Sequence, residues 1–83
     1  MGKQYEYTIH RENSLSMFIK VCKIIEKTYP GIKKEKLLID VDGSTIQTYV
    51  SENGSLNVYD DYYVGAVFVE SDFDIAKAFD IIN

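Results

Sequence analysis

The sequence predicts an α+β fold: a single two-layer domain over residues 1–83, with a mainly antiparallel sheet and two helices packed on one face, in the order β-α-β-β-β-β-α. Three observations carry that expectation. One segment after residue 13 repeats apolar residues at helical spacing. Several short segments alternate with period two and are divided by Asp-Gly and Asn-Gly turn signals. The 83 residues are 46 % apolar and 27 % charged, with five glycines and one proline, which is the composition of an ordered globular chain and not of a disordered one.

Tyr5 to His10 alternates and reads as a strand, which Arg11-Glu12-Asn13 breaks. Asn13 or Ser14 can cap the helix that follows, because either side chain accepts a bond from a free first-turn amide. Leu15, Phe18, Ile19, Cys22, Ile25 and Tyr29 fall on one side of that helix, and Met17, Val21 and Ile24 widen the arc. Pro30-Gly31 ends it. Lys33 to Lys36 reads as a charged connector, and Leu37 to Val41 as a strand. Asp42-Gly43 is a two-residue hairpin signal, with Ser44 to Val50 returning and Ser55 to Tyr59 following a loop at Glu52-Asn53-Gly54. Asp60-Asp61 reads as a turn. Tyr62 to Val69 is apolar on both faces and is placed centrally in the sheet. Ser71-Asp72-Phe73-Asp74 resembles a capping box, opening a last helix from about Asp72 to Ile82 that buries Phe73, Ala76, Phe79 and Ile82.

Strand register decides which side chains are free, because a slip of one residue turns a whole strand over. A two-residue turn at Asp42-Gly43 pairs Ile39 with Ile46. A three-residue loop at Glu52-Asn53-Gly54 pairs Val50 with Leu56. The expected buried face then holds Leu37, Ile39, Val41, Ile46, Val50, Leu56 and Val58, covered by both helices. The expected open face holds Leu38, Asp40, Asp42, Gln47, Tyr49, Asn57 and Tyr59, with Tyr62 and Tyr63 beside the Asp60-Asp61 turn. Seven tyrosines in 83 residues supply large, stiff, amphipathic contact area, which suits an interface and equally suits a half-wet strand surface.

Charge divides along the chain. Residues 1–36 hold eight basic and four acidic residues, whereas residues 37–83 hold one lysine and nine acids. Such a dipole steers association with a charged partner. The chemistry of catalysis is not announced. His10 is the single histidine, Cys22 lies in the apolar arc of the helix, and no phosphate loop, nucleophile elbow or Cys-x-x-Cys is present. Asp40, Asp42, Asp60 and Asp61 lack calcium-loop spacing, and a chain of this length rarely builds both a core and a deep cleft. No catalytic residue, metal site or cofactor is therefore expected.

The expected function is a small non-catalytic protein-binding domain whose acidic, tyrosine-rich sheet face and turn dock on a basic partner surface. Asp40, Gln47, Tyr49, Asn57, Tyr59, Asp60, Asp61, Tyr62 and Tyr63 are the candidate contact residues. Small acidic inhibitors, immunity proteins and counter-defence proteins share this size and charge, and carboxylates spaced on a sheet can imitate nucleic acid. Nucleic-acid binding through Lys20, Lys23, Lys27, Lys33 and Lys34 is the second reading, set against a sequence pI of about 4.8. A regulatory homodimer pairing a sheet edge or the tyrosine face is the third. One cysteine, no apolar leader and no membrane-length apolar run suit a cytoplasmic protein without a membrane partner.

Overall fold

The computed structural model describes residues 4–79. Strand β1 (Tyr5–His10) leads into helix α1 (Leu15–Thr28). Strands β2 (Lys33–Ile39), β3 (Thr45–Ser51), β4 (Gly54–Asp61) and β5 (Ala66–Ser71) follow, then the short helix α2 (Ala76–Phe79). The predicted α+β order is thus the observed one. All neighbouring strands are antiparallel, in the order β1-β5-β4-β3-β2. Strands β2 to β5 form a meander, and β1 closes the far edge beside β5.

Helix α1 starts where the capping rule expects. Ser14 has extended backbone and its hydroxyl accepts from the Met17 amide at 3.1 Å. Its packed stripe is Phe18, Val21, Cys22 and Ile25, buried against Tyr49, Leu56, Val58, Val67 and Val69 of the sheet and Ile75 and Ala78 beside them. At about 25 cal/mol for each Å² of apolar surface removed from water, this cluster is the main source of stability. The stripe is narrower than the sequence arc: Leu15 and Ile19 are exposed.

Two hairpins differ from the expected register, and both shifts act on β3. The Asp40 amide donates to the Ser44 carbonyl at 2.8 Å, closing a three-residue loop, Val41-Asp42-Gly43, with Gly43 at φ 91°. Ile39 therefore opposes Thr45 instead of the residue after it. The second loop is the two residues Glu52-Asn53, so Tyr49, not Val50, opposes Leu56. Leu56 and Val58 face the core as expected, but β3 is turned over. Thr45, Gln47 and Tyr49 point at α1, and Ile46 and Val50 point away.

The reason is that the inward polar groups find partners. Gln47 Nε2 donates to the Glu35 and Thr48 carbonyls at 2.6 and 3.1 Å, and the Tyr49 hydroxyl donates to Glu26 at 2.5 Å. A buried polar group with its bonds made costs little, and a tyrosine ring brings more apolar surface than valine.

Other boundaries move as well. Lys33 to Lys36 is not a connector but the first half of β2, which is exposed along its whole length. Leu37 and Ile39 lie on the inner face but at its edge, Leu37 lining an open groove with Phe18 and Cys22 of α1, so neither is core, and Val41 stands fully in solvent. Asp60-Asp61 belongs to β4, and the turn is Tyr62 to Gly65. The last helix begins at Ala76, later than expected, because Asp74 Oδ1 accepts from the Ala76 amide at 2.9 Å. It buries Ala78 while Ala76 is exposed. The expected helix end and Ile82 lie outside the described residues.

Candidate functional site

Three of the nine candidate contact residues are unavailable. Tyr49 has no solvent-accessible surface, and Gln47 and Asp60 are each 2 % exposed. Each does structural work. Tyr49 fills the space between α1 and β3, and its phenol is pushed well above the ordinary value by burial first and by Glu26 second. Glu26 is correspondingly held below the ordinary glutamate value, first by the Tyr49 hydroxyl and then by Lys34, whose ammonium lies 3.3 Å away. Asp60 Oδ1 accepts from Asn13 Nδ2 at 3.0 Å and from the Ser14 amide at 3.2 Å. It therefore fastens the entrance of α1 to β4 and does not meet solvent.

The remaining acidic and aromatic candidates converge on one end of the sheet. The turn after β2 (Val41-Asp42-Gly43) and the turn after β4 (Tyr62 to Gly65) lie side by side. The Tyr62 ring packs so closely on Gly43 that a Cβ there would sit 2.7 Å from it, and the Tyr62 amide donates to Ser44 Oγ at 2.8 Å. Asp61 Oδ1 accepts from the Tyr63 and Val64 amides at 2.8 and 3.0 Å, and Asp42 Oδ1 accepts from the Ser44 amide at 2.9 Å. Asp40 accepts from the Val41 amide. The carboxylates thus build the turns and hold the tip rigid. Val41, Tyr62, Tyr63 and Val64 are left projecting, with Tyr63 94 % exposed. No group of three or more His, Cys, Asp or Glu side chains with metal-holding geometry is found among the described residues.

Beside the tip, the sheet face away from α1 carries Asn57 and Tyr59. Register places Leu38, Ile46, Tyr59, Phe68 and Thr8 in one row across all five strands. Tyr59 and Phe68 stack at 4.6 Å with planes 14° apart. Burial, then the charge of Glu70, raises the Tyr59 phenol above its ordinary value. The turned-over β3 brings Ile46 to this face, which the sequence reading missed. The signal available was the apolar character of Ile46 and Phe68 on strands whose partners already filled the core.

The lysines divide into two groups. Lys20, Lys23 and Lys27 flank a shallow groove on the outer side of α1 with Ser16, Ile19 and Ile24. Lys33 and Lys34 are on β2 and already face carboxylates, Lys33 with Glu35 at 3.7 Å and Lys34 with Glu26 at 3.3 Å. Lys34 meets Lys23 of the helix across Glu26, which both ammonium groups help to hold below its ordinary value, so part of their charge is neutralised there. Cys22 is buried, and burial raises its thiol above the ordinary value, which disfavours the nucleophilic thiolate. No described helix is long and apolar enough to cross a membrane. No protein-family model, curated protein or solved structure matches the chain.

Proposed function

We propose that this is a non-catalytic protein-binding domain that docks its acidic, aromatic tip on a basic protein surface in the cytoplasm, in the manner of a small inhibitor or immunity protein. The observation that supports the reading most is the meeting of two hairpin turns through Tyr62 and Gly43. It gathers Val41, Tyr62, Tyr63 and Val64 into one exposed patch ringed by Asp40, Asp42 and Asp61. Projecting aromatic and aliphatic side chains on a rigid base are good anchors, because little rotamer freedom is lost on binding. The carboxylates around them favour a cationic partner and speed its approach. Asn57 and Tyr59 extend the patch onto the sheet.

The test is a pull-down from source-cell lysate with tagged protein, at low and high salt and with and without nuclease. A stoichiometric protein that survives nuclease, weakens in high salt and is lost with Tyr63→Ala is the expected result, with Asp42→Asn weakening it further at low salt. Asp42→Asn keeps the turn acceptor and removes the charge. Retention of nucleic acid alone, abolished by reversing Lys20 and Lys23, would instead establish the lysine groove as the site.

A further inference from the structure

Strand β2 is the exposed edge of the sheet, and it is the feature least explained by a domain acting alone. All seven of its residues are exposed. Leu37, Leu38 and Ile39 are 45 %, 52 % and 71 % exposed, although they are the most apolar triplet of the strand. Natural edge strands are usually protected by charge, proline or a bulge at the point of risk. Here a bulge lies between Lys34 and Leu37, and the stretch after it is regular and unprotected.

We propose that β2 pairs antiparallel with β2 of a second copy of this chain, about a two-fold axis through Leu38. The backbone supplies the first argument. Asp40 turns its amide toward β3, so alternation along an antiparallel strand points the N–H and C=O of Leu37 and Ile39 outward. With Leu38 opposite Leu38 of the second copy, Leu37 stands opposite Ile39 of that copy, and each such pair exchanges two hydrogen bonds. Leu38 then occupies the close, non-hydrogen-bonded position on the axis.

Side chains supply the second. Basic residues lie before the apolar triplet (Lys33, Lys34, Lys36) and acids after it (Asp40, Asp42), so the edge is self-complementary when reversed. In this register apolar meets apolar over Leu37 to Ile39, and Lys36, at the end of the bulge, comes beside Asp40 of the second copy, just past the end of its β2, at both ends of the contact. A register centred on Leu37 would set Lys36 against Leu38. The axis also joins the open-face rows: Phe68, Tyr59, Ile46 and Leu38 of one copy continue into Leu38, Ile46, Tyr59 and Phe68 of the other. Because the axis is normal to the sheet, both α1 helices lie on one face of a ten-strand sheet, flanking Leu37 and Ile39.

Sedimentation equilibrium over a concentration series tests the assembly. The wild type is expected to dimerise. Leu38→Lys sets two cations on the axis and should raise the dissociation constant about tenfold or more. Lys36→Asp alone should weaken the dimer, and the exchange Lys36→Asp with Asp40→Lys should restore it. The register is read by oxidising Leu38→Cys: paired Cα atoms about 4.5 Å apart admit a disulfide. Leu37→Cys tests the alternative register. Circular dichroism of each variant checks that these exposed substitutions leave the fold intact. A monomer at all concentrations, a dimer indifferent to Leu38→Lys, or cross-linking through Leu37→Cys in place of Leu38→Cys would overturn the proposal. Leu38→Lys and Lys36→Asp leave every tip residue unchanged, so their effect on dimerisation is separable from the tip experiment, whereas Asp40→Lys alters a carboxylate beside the tip and is read for dimerisation alone.

Discussion

At the scale of the residue, the informative side chains are polar ones inside the fold. Asp60 shows why. Asp60→Asn retains the shape but weakens the acceptor at the start of α1, and a loss of about 1–3 kcal/mol is expected by urea titration. Asp60→Lys should leave little folded protein, because it places an unpaired cation in a 2 % exposed position. Tyr49→Phe should cost only about 1 kcal/mol, since Glu26 is partly exposed and retains Lys34 and water. Glu26, Asp42 and Asp74 are held below their ordinary values, respectively by the Tyr49 hydroxyl, the Ser44 amide and the Ala76 amide as the largest causes. A depressed folded value contributes stability that is complete above the unfolded one and is lost as pH falls through the folded one. The thermal midpoint should therefore be level near neutrality and fall below about pH 4, less steeply in Glu26→Gln. A midpoint that rises on acidification would contradict this assignment. The tyrosines Tyr7, Tyr29, Tyr49 and Tyr59 act in the opposite sense: burial raises their phenols, so stability falls as pH climbs above about 10.

At the scale of the element, turns decide more than strands do. Gly54 sits at φ 128° with Asp72 where a Cβ would need to be, at 2.7 Å, and the Asp72 carboxylate accepts from the Ser55 amide at 2.9 Å. Gly54→Ala should lower stability by about 1–3 kcal/mol, measured by thermal unfolding, because the strain and the clash coincide. This is also where legibility ended. The helix and the existence of every strand could be read from periodicity, which is a property of neighbours in sequence, and the cap was narrowed to Asn13 or Ser14, of which Ser14 serves. Register could not, because Asp-Gly and Asn-Gly each fit loops of two or three residues. The choice between them was made by contacts far away in sequence, Tyr49 with Glu26 and Gln47 with Glu35. That one ambiguity moved Gln47 and Tyr49 from the open face to the core and brought Ile46 out. Asp42 was legible as a turn former from its Asp-Gly pair alone, whereas Asp60, expected in a turn, lies buried in β4, and Tyr62 and Tyr63, expected to open a strand, stand exposed in the turn before β5.

At the scale of the whole molecule, the sheet order separates the chain's two edges by role. The β2 edge is charged in its first half and apolar in its second, and the proposed dimer should be sensitive to salt, weakening as the Lys36–Asp40 attraction is screened. The β1 edge is fixed internally: the Tyr7 hydroxyl donates to Asp74 at 2.8 Å and accepts from the Ile75 amide at 3.3 Å, tying the first strand to the approach of α2. That arrangement sets an order of events during synthesis. Strands β2 to β5 join through short local hairpins and can assemble as each leaves the ribosome. Strand β1 is made first, yet its partner is made almost last, since Tyr5 pairs with Ser71. Loop closure over that span is the slow kind of contact. The nascent chain therefore cannot pair β1 with its neighbour until β5 has been made, so the longest-range contact of the sheet is available only after the local hairpins are.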